Sequence, residues 1–82
     1  MNTQTVPQSL REVIADTLEI APEDVTPELS TDTTESWDSF RHLQLILSLE
    51  GEYGVQFDPA VIPDLTTVAK LQSALAKKGV AL

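Results

Sequence analysis

Fifteen consecutive residues, Ser39 to Tyr53, contain no proline, follow an aspartate and run into Gly54; this segment constrains the fold more than any other. At about 100° per residue, Leu45, Ile46, Leu49 and Tyr53 share one arc about 100° wide, enough for a core-facing stripe. Asp38 is a natural N-cap, because its carboxylate can accept an orphan N–H of the first turn. Gly54 can take the left-handed conformation that closes a helix. Arg41, Gln44, Ser48, Gly51 and Glu52 make a polar arc. A second apolar group, Phe40, Leu43 and Leu47, spans about 60° and is flanked by Ser39 and Glu50. Either this central helix touches neighbours on most sides, or Leu43 and Leu47 are exposed as a docking patch beside Ser39. Both hold if Phe40 packs inward while Leu43 and Leu47 face out.

Other segments supply partners for that helix. Leu10, Val13, Ile14 and Leu18 fall at helical spacing over Gln8–Leu18, with Pro7 or Ser9 to begin the helix and Pro22 to stop it. Val68, Leu71 and Leu75 predict a last helix over Thr67–Lys78, capped by Thr66 and closed by Gly79. Two of its three lysines, Lys77 and Lys78, lie at the C-terminal end, where the helix dipole favours them. Pro59–Ile62 reads as a short helical turn, with Asp58 as cap and Pro59 at the first position. The alternating "YGVQF" has no second strand to pair with. A long connection, Ala21 to Trp37, contains the tract "STDTTES", and Val25 and Leu29 are its expected anchors to the core. The fold class is all-α: a small four-helix bundle with three longer helices and one short one.

Size and composition exclude much else. A chain of 82 residues supports one modest core, and residues 1–82 read as a single domain. Without cysteine there is no disulfide, thiolate metal site or cysteine nucleophile, and one histidine cannot build a multi-histidine metal centre. The sequence "DTTESWD" lacks the spacing and glycine of a calcium loop. No apolar run approaches the ~20 residues of a membrane span, and the polar start "MNTQTVPQSL" has no signal-peptide layout. Residues 12–64 carry all thirteen acids and one base, a local balance of -12 within a net charge of -8. That field repels nucleic acid and anionic membranes and favours basic partner surfaces. The expectation is a cytoplasmic monomer.

Asp38, Ser39 and His42 are near neighbours, but three residues at one helix end do not readily align nucleophile, base and orienter. No enzyme is expected, and a structural role is assigned to the lone histidine. A serine at a helix start after a long loop is accessible. A phosphate carried there would face unsatisfied N–H groups and the positive end of the helix dipole.

The block "WDSFRHLQLILSLEGEYGVQF", followed by "LTTVAKLQSAL", resembles the acyl carrier protein family. The family pattern is Asp-Ser-Leu opening an amphipathic helix, an aromatic residue and short glycine-hydrophobic exit, and a Thr-Val start to the final helix. Here these are Asp38-Ser39-Phe40, Leu43 to Glu50, Tyr53-Gly54-Val55 and Thr66-Thr67-Val68. "LREVIADTLEIAPEDV" is similar to the family's first helix and its exit. The resemblance implies that a phosphopantetheinyl transferase attaches 4'-phosphopantetheine from coenzyme A to Ser39, with Asp38 helping to position that reaction. The arm's thiol would carry acyl or aminoacyl cargo as a thioester between a loading ligase and downstream synthase or transferase enzymes. Leu43 and Leu47 match positions where the family meets partners. Trp37, Phe40, Arg41 and Glu50 complete the expected partner surface.

Several positions depart from the family pattern. Phe40 replaces leucine, Trp37 stands where a small residue is frequent, and "STDTTES" replaces the Phe-x-x-Asp-Leu-Gly lead-in. Arg41 and His42 stand where fatty-acid carriers tend to be acidic or neutral. That points from general fatty-acid synthesis to a dedicated carrier in a specialised pathway, with its own loading ligase; Met1 and the short tail favour a stand-alone protein over a module of a synthase. Trp37 either packs the loop over the second helix or shapes a partner surface. The alternative to a carrier is an unmodified helical interaction module in which Ser39 is only a helix-start residue.

Overall fold

The computed structural model describes residues 6–80. Met1–Thr5 and Ala81–Leu82, on which the reading of a leaderless, free-standing chain partly rests, lie outside them. Three α-helices form: α1 (Gln8–Leu18), α2 (Ser39–Tyr53) and α3 (Val68–Lys77). Two short 3-10 turns, Pro22–Asp24 and Ile62–Asp64, lie in the connections. The described residues are thus all-helical with three helices, and the expected fourth is corrected to a 3-10 turn.

The reason lies in Asp58 and Pro63. The Asp58 carboxylate accepts from the Ala60 amide at 2.9 Å, and its carbonyl accepts from Val61 at 2.9 Å. These bonds fold residues 58–61 into a turn rather than starting a helix. Pro63 then has no N–H to give to the Pro59 carbonyl, so an α-helical ladder cannot propagate and the tighter Ile62–Asp64 turn follows.

Helices α1 and α2 pack antiparallel, as their end contacts show. At one end Arg41 donates to the Thr17 carbonyl at 3.0 Å and pairs with Glu19 at 3.4 Å. At the other, the Ser9 and Tyr53 hydroxyls are 3.0 Å apart. Between them Leu10, Ile14 and Leu18 of α1 meet the predicted stripe of α2, and Leu45, Ile46 and Leu49 are buried. Val68, Leu71 and Leu75 close the core from α3. Glu19 ends α1 at φ 58°, a left-handed conformation that costs a non-glycine residue about 1 kcal/mol.

The long connection is anchored as the sequence predicts, by fully buried Val25 and half-buried Leu29. It also has a second task. The Leu29 and Pro27 carbonyls accept from the Val68 and Ala69 amides, each at 3.0 Å, satisfying two orphan donors of α3. The hydroxyl of Thr67 takes the next, Lys70, at 3.1 Å. The cap is therefore Thr67, one residue later than expected. The Thr66 carbonyl instead accepts from the Thr31 amide at 3.0 Å, next to an isolated antiparallel bridge between Ser30 and Thr67. The alternation in "YGVQF" survives without a strand: Val55 and Phe57 turn to the core, and Gln56 is exposed.

Candidate functional site

The start of α2 is built from Asp38 upward. Its backbone is extended, and its carboxylate accepts from the Arg41 amide at 2.9 Å, while its carbonyl accepts from the His42 amide at 2.8 Å. These two bonds account for the third and fourth N–H groups of the helix. The first two, on Ser39 and Phe40, are those for which a helix offers no internal acceptor. Ser39 itself is exposed. Capping and exposure are thus divided between neighbours: Asp38 holds the helix end, and Ser39 presents its hydroxyl.

Beside Ser39 runs an open groove of about 540 Å³, lined by Trp37, Leu43, Ile62, Pro63 and Thr66 among others. On the outer face of α2, Phe40, Leu43 and Leu47 are 68%, 56% and 66% exposed. The exposure of Leu43 and Leu47 as a patch fits this, and Phe40, counted with the expected partner surface, is exposed beside them; the arrangement in which Phe40 packs inward is not the one found. Phe40 lies in the first turn, and Trp37, only 2% exposed, occupies the core at this end of the helix. Three exposed side chains at i, i+3 and i+7 make one continuous apolar stripe that starts next to Ser39.

The remaining members of the expected partner surface are held internally. Burial corrects the placement of Trp37 on that surface: its ring packs the loop onto α2. Arg41 clamps α2 to the C-terminal end of α1. Glu50 folds back, and its carboxylate accepts from the Phe57 amide at 2.9 Å, fixing the exit from α2.

His42 does not address Ser39. Its Nδ1 accepts from the indole N–H of Trp37 at 2.9 Å, and its Nε2 faces the Ile62 carbonyl at 2.8 Å. With Asp38 engaged as the cap, Ser39, His42 and Asp38 are not arranged as a relay. Among the described residues, no three His, Asp or Glu side chains converge as a metal site, and no helix is long and apolar enough to cross a membrane. The contact between Trp37 and His42 was the feature sequence reasoning missed. The one tryptophan and the one histidine, five residues apart across a helix start, were its only signal.

Fold and site together define a small helical domain that holds a serine hydroxyl at a helix N-terminus, beside a groove and an apolar stripe. Comparison with known proteins places that arrangement. Residues 8–75 match the family described as "Phosphopantetheine attachment site". An acyl carrier protein of Thermosynechococcus vestitus is 34% identical over 68 residues, covering 83% of this chain and 84% of the relative. An acyl carrier protein of Nitratidesulfovibrio vulgaris is 31% identical over 72 residues, covering 88% and 91%. The chain belongs to the acyl carrier protein family, and its prosthetic group is covalent 4'-phosphopantetheine. The helix start fits such a group, since an exposed hydroxyl stands beside two amides oriented for an anion.

Proposed function

We propose that Ser39 is the attachment residue, and that the domain carries acyl or aminoacyl groups between a loading ligase and downstream synthase or transferase enzymes. The observation that carries this reading is the separation of roles at the start of α2. Asp38 alone supplies the side-chain cap, so the exposed Ser39 hydroxyl is free for modification. When attached, the group supplies a terminal thiol on which cargo is held as a thioester. The chain's own part is to anchor the phosphodiester at the helix N-terminus and to offer Phe40, Leu43 and Leu47 to each partner in turn. It acts as substrate and shuttle, not as catalyst. The acidic surface favours partners with basic rims. A single continuous core among residues 6–80 supports reading residues 1–82 as one carrier domain, which we take to act as a cytoplasmic monomer in a specialised pathway.

The test is intact mass after incubation with coenzyme A, magnesium and a broad-specificity phosphopantetheinyl transferase. The expected result is a gain of one phosphopantetheine by the wild type and none by Ser39→Ala. No gain by a folded wild type would return Ser39 to a helix-start residue and leave an unmodified interaction module.

A further inference from the structure

The Trp37–His42 contact has a third member, and together the three join separate parts of the chain. An indole N–H can only donate, so His42 Nδ1 is the acceptor of the 2.9 Å bond. The proton of the neutral ring is therefore on Nε2, which donates to the Ile62 carbonyl at 2.8 Å. That carbonyl also accepts from the Leu65 amide at 3.1 Å, within the 3-10 turn. The indole and imidazole rings lie 6.0 Å apart, tilted by 32°. Trp37 belongs to the loop before Ser39, His42 to the first turns of α2, and Ile62 to the turn across the groove.

Among the described residues, the His42–Ile62 bond is the only hydrogen bond between α2 and residues 58–66. Yet Ile62, Pro63 and Thr66 line the same groove as Asp38, Ser39 and Leu43. One polar link thus joins two discontinuous surfaces on either side of the attachment serine.

We propose that His42 and Trp37 are positioning residues for the modification of Ser39. Trp37 fixes the imidazole, and the imidazole locks residues 62–66 against the start of α2, so both walls around Ser39 are formed before the transferase arrives. This rests on Ser39 being the attachment residue. A transferase that grips Ser39 from both sides meets an ordered surface; without the clasp, docking must order the far wall and affinity falls. The Asp38 cap holds Ser39 itself regardless of the clasp. Loss of the clasp therefore acts on KM for the carrier and spares kcat.

The experiment measures kcat and KM for phosphopantetheine transfer from coenzyme A to wild type, His42→Ala, His42→Gln and Trp37→Phe, well below each unfolding midpoint. For His42→Ala, KM rises about tenfold, the equivalent of about one hydrogen bond, with kcat within about twofold. Glutamine keeps one acceptor and one donor, and is expected to return KM to within about threefold of wild type. A purely structural role would lower the midpoint and leave KM of the folded protein unchanged. An unchanged KM in folded His42→Ala, or a loss confined to kcat, overturns the proposal. Should His42→Ala not fold, Trp37→Phe carries the test: KM rises about threefold as the ring loses its fixing donor, and a wild-type KM refutes the clasp. Absence of modification in the wild type sinks the attachment reading and this proposal together. Modification with a KM indifferent to both residues sinks only this proposal.

Discussion

Replacing Asp38 and Ser39 one at a time separates holding the helix from presenting the hydroxyl. Asp38→Ala removes the carboxylate that accepts from the Arg41 amide at 2.9 Å. Loss of such an N-cap costs about 1 kcal/mol, within a range of about 0.5–2. Removing the negative charge from the positive end of the α2 dipole adds about 0.3–1 kcal/mol at an exposed site. The sum is about 1–2 kcal/mol. In a domain this small each kcal/mol moves the midpoint by about 4–8 °C, so a fall of about 5–15 °C is expected. Asp38→Asn keeps an acceptor of equal capping quality and should lose only the charge part, about 0.3–1 kcal/mol. Ser39→Ala should change stability by no more than about 0.5 kcal/mol, because the serine is exposed and lies outside the cap. Thermal and urea unfolding followed by far-UV circular dichroism, on the unmodified proteins, measure all three. Were Ser39→Ala to cost as much as Asp38→Ala, or Asp38→Ala to cost nothing, the division of roles at this helix start would be wrong.

Other substitutions test the remaining contacts. Leu43→Glu and Leu47→Glu should leave the urea midpoint within about 0.5 kcal/mol of wild type, since both side chains are already exposed. Each should still weaken productive encounter with a partner enzyme by about tenfold in kcat/KM, as loss of an interface anchor does. Glu19→Gly relieves the left-handed C-cap of α1 at φ 58° and should stabilise by about 0.5–1 kcal/mol, less the small value of an exposed ion pair with Arg41; urea unfolding reads the difference. Leu49→Ala opens a cavity in the buried stripe of α2 and should cost about 2–5 kcal/mol. Against a total stability of about 4–12 kcal/mol for a chain this size, that brings unfolding close to ordinary temperatures, visible as a large loss of melting temperature.

Arg41 and His42 show where a sequence reading and a structure part. In the sequence they set the chain apart from general fatty-acid carriers, because a base and an imidazole stand on a helix expected to face partners. In the fold both have internal partners: Arg41 ties α2 to the end of α1, and His42 ties it to Ile62. Their departure from the family pattern thus has a scaffolding use. We place any distinction in partners on the exposed stripe, where Phe40 adds an aromatic ring to Leu43 and Leu47.

Much of the rest was legible because it is local. The bounds of α1 and α2, the Asp38 cap, the Gly54 closure and the buried positions of all three helices follow from spacing and terminal residues. Those are interactions among residues a few positions apart. The candidate attachment serine was legible for the same reason. What the sequence left open depends on residues distant along the chain. The cap of α3 moved to Thr67 because the carbonyls of Pro27 and Leu29 reach its first turn from the long connection. The fourth helix is the one local exception: the Asp58 bonds fold residues 58–61 into a turn and Pro63 has no N–H for the Pro59 carbonyl, so a 3-10 turn forms instead. Trp37 went into the core at the start of α2 rather than onto the partner surface, a choice the sequence had left open. Pattern and capping by themselves determined three helices and a serine at the start of the second. Only tertiary packing decided which side chains remain free around that serine, because each inward position can be filled once, and the residue that fills it comes from elsewhere in the chain.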